Sequence, residues 1–266
     1  MIQEGIKLSI YGESDVGKLR EHNEDSIGWD TDMGLVLLAD GMGGHNAGEV
    51  ASELAVSCIR DALQDVLAPN LVASNVIDFN DALREAIIYA NDEIIRMANE
   101  RLECVGMGTT IVVTLFHGNR VIIANVGDSR IYRLREKELT QISKDHSLVQ
   151  EMLDNGYISE EEAQMSASRN LITRALGIAD QVEVDINQDN VEDGDLYLLC
   201  SDGLTDLVTD DEILQLLLLY KDDLKSGCQE LISLANEKGG KDNISVILAG
   251  LQEAYSDSMG FDEESA

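Results

Sequence analysis

Leu35-Val36-Leu37-Leu38-Ala39-Asp40-Gly41-Met42-Gly43-Gly44 passes from five apolar residues directly into an aspartate and a glycine-rich run. An apolar run that short, with no alternation, is expected of a strand covered on both faces. The Asp-Gly step that ends it is a turn signal. Just upstream, Ser26–Asp30 reads as a second strand, joined to the first by Thr31-Asp32-Met33-Gly34. Downstream, residues 46–67 and 77–103 carry helical periodicity, with Val50, Leu54, Ile59 and Leu63 on one stripe and Leu83, Ile87, Ile94 and Met97 on the other.

Further strands are expected over Thr109–Phe116, Arg120–Val126 and Arg130–Leu134, with His117-Gly118-Asn119 turning the first into the second. Ser159-Glu160-Glu161-Glu162 has the form of a capping box and predicts a short helix. Val182–Ile186 and Leu196–Cys200 read as strands. A second capping box, Thr209-Asp210-Asp211-Glu212, opens a helix that reaches Tyr220. A helix over about Ser226–Glu237 and a strand over Ile244–Ala249 complete the pattern. Strands grouped in runs, rather than alternating one for one with helices, point to antiparallel sheets with helices packed outside them. The expected class is therefore α+β, a layered sandwich and not a doubly wound parallel sheet.

With one proline, Pro69, and no linker or repeat, residues 6–251 read as one domain. The stretch from Gln252 to Ala266 holds five acidic residues and no basic one, and is expected to be disordered. The 266 residues include 51 acidic and 19 basic side chains, for a net charge of −32. A field of that sign repels nucleic-acid phosphates and anionic membranes, which excludes both as expected partners. The longest candidate, Ile213–Tyr220, is far shorter than a membrane span. The first residues lack a basic segment followed by an apolar one, so the cytoplasm is the expected location. Cys58, Cys104, Cys200 and Cys228 are widely spaced in apolar surroundings and read as free buried thiols.

Four acidic clusters share one design, an apolar strand beside an aspartate and turn-forming residues. They are Leu38-Ala39-Asp40-Gly41, Val126-Gly127-Asp128-Ser129, Cys200-Ser201-Asp202-Gly203 and Lys241-Asp242-Asn243, with Glu24-Asp25 as an earlier acidic pair after Arg20. Any one of them is equally well ordinary turn chemistry. Four together suit a hard divalent cation, which takes carboxylate, carbonyl and water oxygens. Carboxylates gathered without a cation would raise one another's pKa, at a cost in free energy. No Gly-x-x-x-x-Gly-Lys-Ser/Thr loop or EF-hand spacing occurs.

Arg20-Glu21-His22-Asn23-Glu24-Asp25, Ala39-Asp40-Gly41-Met42-Gly43-Gly44, Gly108-Thr109-Thr110, Val126-Gly127-Asp128-Ser129-Arg130, Cys200-Ser201-Asp202-Gly203-Leu204 and Gly240-Lys241-Asp242-Asn243 resemble, in order and spacing, the motifs of the type 2C (PPM) protein phosphatases, most closely the bacterial branch. The resemblance spans about residues 8 to 250. It implies a four-layer α/β/β/α sandwich of two antiparallel sheets with a centre of two or three Mg²⁺ or Mn²⁺ ions at one end. By matching positions, Asp40 bridges two ions, Asp202 and Asp242 complete one, and the Gly41 carbonyl and Glu24 serve the other. Asp128 joins Asp202 at a third ion, Arg20 grips the substrate phosphate, and Asp25 supports metal-bound water.

The implied reaction is hydrolysis of phosphoserine and phosphothreonine in proteins by a hydroxide shared between two cations, formed from a water whose pKa metal binding lowers. The implied partners are phosphoproteins and a cognate serine/threonine kinase, with a monomer as the expected state. In animal and plant relatives a histidine after the Asp-Gly pair is a candidate general acid. Met42 stands there in this chain and His45 lies nearby, so the acid is unassigned. His22 reads as a surface residue, His146 as structural and Asp145 as a helix cap. Residues 145–180 correspond to the flap of bacterial relatives, in which Met165-Ser166-Ala167-Ser168 replaces a common His-Pro pair. A catalytically silent relative is the chief alternative, but it should have lost carboxylates or the arginine, and all are present.

Overall fold

The computed structural model describes residues 6–43, 47–67, 78–164 and 171–253. Strands β1 (Ile6–Asp15), β2 (Asp25–Asp30) and β3 (Leu35–Met42) come first, followed by helices α1 (Ala47–Val66) and α2 (Phe79–Glu100). Then follow β4 (Gly108–Thr109), β5 (Ile111–His117), β6 (Arg120–Val126), β7 (Arg130–Arg135) and β8 (Glu138–Gln141). Helices α3 (Leu148–Asp154) and α4 (Glu160–Gln164) precede β9 (Asp185–Asn190) and β10 (Leu196–Cys200). Helices α5 (Asp202–Thr205), α6 (Asp210–Tyr220) and α7 (Leu224–Glu237) lead to β11 (Ile244–Glu253).

One sheet has the order β1-β11-β10-β7-β8, the other β2-β3-β5-β6-β9 with β4 paired to β3, and every pairing is antiparallel. The apolar run of β3 shows why they stack. Leu35, Leu37 and Ala39 belong to a core shared with α1 and α2, whereas Val36 and Leu38 belong to the core between the sheets. Period-two alternation therefore sends both sets inward, and each fully buried Leu contributes on the order of 2 kcal/mol. A third core lies beyond the second sheet, where Leu198, Val246 and Leu248 meet Ile213, Leu217, Leu231 and Ile232 of α6 and α7. Three cores between four layers make the α/β/β/α sandwich.

One hairpin turn and two capping boxes hold where they were read. Gly118, with φ +61°, turns β5 into β6, and His117 pairs with Arg120. Thr209 and Glu212 form a reciprocal capping box on α6, and Ser159 and Glu162 form the same pair of contacts at α4.

Three expectations need correction. The strand placed at Val182–Ile186 pairs only from Asp185 to Asn190, because Val182 packs against the helix-side core before the ladder begins. Strands β1 and β8 were not foreseen; β1 has the alternating Ile6, Leu8 and Ile10 of a strand, although the apolar-run criterion passes over it. The last strand continues to Glu253, which pairs with Ile6, so the first two residues of the expected tail are β structure; residues 254–266 lie outside the described residues. Among the described residues no helix is long and apolar enough to cross a membrane. All four cysteines are free, Cys58 half-buried and the others buried.

Candidate metal centre

Asp40 lies at the end of β3 and pairs in register with Asp25 of β2. Directly opposed residues share a face of the sheet. That face follows from parity, since Val36 and Leu38 point between the sheets and Asp40 is next in the series. Asp25 confirms it by accepting a hydrogen bond at 2.9 Å from Ser201 Oγ, which caps the end of β10 on the opposite sheet. Asp202 follows Ser201 directly, and Asp242 stands two residues before β11. Both sheets thus deliver carboxylates to one end of the sandwich.

Polar side chains that the sequence reading left without a role hold these loops in place. Asn243, 4% exposed, accepts the Glu24 N–H at 2.8 Å and donates to the Val16 and His22 carbonyls at 3.0 and 2.9 Å. Thr109 Oγ1 donates to the Asp40 carbonyl at 2.8 Å, and Thr110 Oγ1 accepts the Asp40 N–H at 3.0 Å. Thr110 also meets Ser129 Oγ at 2.8 Å, which ties the Asp40 strand to the Asp128 loop. Their signal was present in Gly108-Thr109-Thr110 and Asp242-Asn243, but a hydroxyl or amide at a strand end does not announce a distant partner.

Two glycines are required by close approach. A Cβ at Gly41 would lie 2.2 Å from the Gly48 carbonyl oxygen and 2.4 Å from that of Glu24. A Cβ at Gly203 would lie 1.9 Å from the Asn243 carbonyl oxygen, beside Asp242. Gly203→Ala is expected to destabilise the fold by about 3 kcal/mol, because backbone must move. Urea unfolding monitored by circular dichroism checks this; an unchanged midpoint would show that the two loops can separate freely.

Burial, and then the neighbouring carboxylates, govern the electrostatics. Burial pushes Asp25 up to about 6, with nearby Ser245, Ser201 and Asp40 pulling it down and Asp242 raising it further. Asp128 is likewise pushed up to about 6 by burial and then by Asp145. Asp40 and Asp202 rise well above the usual carboxylate range, first through burial, with Asp25, Asp202, Asp128 and Asp242 acting on Asp40. Glu24 is also raised by burial, with Arg20 and the Gly48 N–H opposing. Arg20, half-exposed at the rim, donates from Nη2 to Asp242 Oδ2 at 2.6 Å.

Among the described residues no three His, Cys, Asp or Glu side chains close into a finished ligand cage. The carboxylates nevertheless fit hard divalent cations in two respects. Every donor offered is an oxygen, and Asp25 Oδ1 is buried with no hydrogen-bond donor among the described residues. A cavity of about 670 Å³ opens on the Asp128 and Asp202 side, lined also by Arg130, Asp145, Asp206 and Asp210. Asp40, Asp242 and Arg20 do not line it.

The remaining candidates separate clearly. Asp145 is not a helix cap. Its carboxylate takes Arg130 Nε and Nη2 at 2.9 and 2.7 Å, and the cap of α3 is Ser147, which accepts the Gln150 N–H. His146 is 5% exposed and accepts the Gly127 N–H at Nδ1, a structural position. His22 is exposed, and Met42 offers no exchangeable proton on its side chain. His45 and Met165–Ser168 lie outside the described residues.

Residues 18–249 match the family model "Protein phosphatase 2C". The chain is 42% identical over 238 residues to the serine/threonine phosphatase stp of Listeria monocytogenes, covering 88% of this chain and 92% of that one. The crystal structure of the Mycobacterium tuberculosis serine/threonine phosphatase PstP/Ppp superimposes with a TM-score of 0.85 at 40% identity, over 92% of this chain and 99% of that one. The catalytic domain of PstP in complex with two manganese ions gives 0.82 at 39% identity, over 93% and 100% of the two chains. With the sandwich, the ordered motifs and this match in agreement, the chain belongs to the protein phosphatase 2C family.

Proposed function

We propose that this chain hydrolyses phosphoserine and phosphothreonine in proteins, using two or three Mg²⁺ or Mn²⁺ ions held by Asp40, Asp202, Asp242, Glu24, Asp128 and the Gly41 carbonyl. The observation that carries the proposal is the group of carboxylates gathered from both sheets, in which burial first and then mutual repulsion raise Asp40 and Asp202 well above the usual carboxylate range. Such a group is stable only with protons or cations among its oxygens. When bound, the ions supply an acidified water and neutralise phosphoryl charge.

The chain's own residues do the rest. Arg20 stands at the rim with an exposed guanidinium, so its planar fork can leave Asp242 for two phosphoryl oxygens. Asp25 Oδ1, buried and lacking a donor, can accept a hydrogen bond from water at the centre and orient it. The backbone of Gly41 stays clear for a carbonyl contact because no side chain fits there. Phosphoproteins made by a serine/threonine kinase are the proposed substrates. A reducing compartment, the cytoplasm, suits four free cysteines, and a monomer is the proposed working state.

The test is phosphate release from a phosphothreonine peptide, with Mn²⁺ and with excess chelator. Release in Mn²⁺ alone is expected, and Arg20→Ala should lower kcat/KM by roughly 10- to 100-fold through lost charge-assisted hydrogen bonds. No release in any divalent metal, from folded protein that binds Mn²⁺, would overturn the proposal in favour of a silent phosphoprotein-binding relative.

A further inference from the structure

His146 has no place in the reaction described above, yet it is nearly buried and makes contacts in three directions. Its backbone N–H donates to the Gly127 carbonyl at 2.8 Å, and its Nδ1 accepts the Gly127 N–H at 3.1 Å. Both peptide groups of Gly127 are therefore tied to one residue. Because Nδ1 accepts, the neutral ring carries its proton on Nε2. That nitrogen lies 3.2 Å from Asp185 Oδ2, while Arg174 Nη1 donates to Asp185 Oδ1 at 3.0 Å. The His146 carbonyl accepts the Thr173 N–H at 2.8 Å. The segment entering the flap, the segment leaving it and the start of β9 thus meet on one residue.

Gly127 precedes Asp128 directly and has φ +113°, where a Cβ would come within 2.6 Å of Thr110. Its peptide orientation has few alternatives, and it sets where Asp128 points. At the other root of the flap, Leu176 exchanges backbone hydrogen bonds with Thr109 at 3.1 and 2.8 Å, and Thr109 holds the Asp40 carbonyl. One root of the flap is therefore bonded to the loop that carries Asp128, and the other to the threonine that holds the Asp40 carbonyl.

We infer that His146 is a positioning residue that pins the flap to the Gly127-Asp128 loop, so that the flap and the Asp128 carboxylate take up their places together. The inference rests on the proposed role of Asp128 as a cation ligand. The contact that matters is Nδ1 to Gly127, and the Asp185 side holds the ring in its orientation.

Asparagine can offer an oxygen where Nδ1 stands, whereas glutamine resembles the Nε2 end and leaves the Gly127 N–H without its acceptor. Equilibrium Mn²⁺ binding, followed by electron paramagnetic resonance without substrate, is measured for the native protein, His146→Asn, His146→Gln and Asp128→Asn. His146→Gln should weaken the Asp128-dependent ion by about 10-fold, as loss of a partner behind a ligand does. Its kcat should fall with KM unchanged, and His146→Asn should stay near native in both readouts. Equal behaviour of the two His146 variants, or a change in melting temperature alone, would overturn the inference. If Asp128→Asn binds as many ions as the native protein, the ligand reading of Asp128 fails, and the inference falls with it for that separate reason. Should His146→Gln not fold, amide exchange decides the matter: a fast-exchanging Gly127 N–H in native protein overturns the pin, and a slow one that stays slow in His146→Asn sustains it.

Discussion

Asp40→Asn should lower kcat on the order of 1,000-fold while raising the thermal stability of the chelator-treated protein. The two effects have one origin. Asp40 is held by Thr109 and Thr110 through its backbone, so an amide of the same shape leaves the strand end undisturbed. Its carboxylate, however, is burdened by burial and by Asp25, Asp202, Asp128 and Asp242. A neutral side chain relieves that repulsion, which stabilises the fold on the order of 1–3 kcal/mol. On the proposed reading the same neutral side chain would hold cations poorly, and loss of the acidified water they would supply accounts for the expected drop in rate. Phosphate release in Mn²⁺ and calorimetric melting in chelator measure the two sides. Activity above a tenth of native would remove Asp40 from the centre of the reaction. A lower melting temperature would mean that packing, and not charge, governs this position.

The chelated protein should also lose stability as pH rises from 5 to 7.5, and Mn²⁺ should reverse the loss. The sign follows from the folded-state pKa values. Asp25 and Asp128 are raised from 3.8 to about 6 in the fold, so the native state binds protons more tightly than the unfolded chain. Their stabilisation is complete below about pH 4 and disappears as pH rises through about 6. A shift of two pKa units corresponds to roughly 3 kcal/mol for a buried group, and Asp40 and Asp202 act in the same direction at higher pH. The net charge of −32 adds to the trend. Lowered carboxyls such as Glu212, held at about 2 by Lys238 and Thr209, gain their stabilisation as pH rises to about 4.5 and are nearly flat above about pH 5, so they leave the trend intact. Cations at 100 times their dissociation constant restore about 2.7 kcal/mol per site. Urea midpoints at the two pH values, with chelator and with Mn²⁺, give the comparison. A midpoint that rises with pH in chelator would show that these carboxylates are not gathered as described. Asp128→Asn should flatten the slope, which separates the centre from the general charge.

How much could be read before the fold was known depended on how far apart the partners lie. The strand Leu35–Ala39 was legible because burial on both faces removes every polar residue from it. Both capping boxes were legible because each is a reciprocal contact between residues three apart. Strand β9, Asp-Ile-Asn-Gln-Asp-Asn, was misplaced because an edge strand with one solvated face looks like a loop. Asp145 was misjudged because its true partner, Arg130, sits 15 positions earlier on β7.

The centre divides in the same way. An aspartate beside a glycine at the end of an apolar strand is a local pattern, and the sequence alone determined Asp40, Asp128, Asp202 and Asp242 as candidates together with the family they resemble. Only the tertiary structure decided that Asp25 faces Asp40 across a ladder and meets Ser201, 176 positions away, on the other sheet. It alone decided that Asn243 fastens Glu24 across 219 positions and that His146 grips Gly127. Such contacts arise where two stacked sheets bring their strand ends together, and no periodicity along the chain encodes which ends will meet.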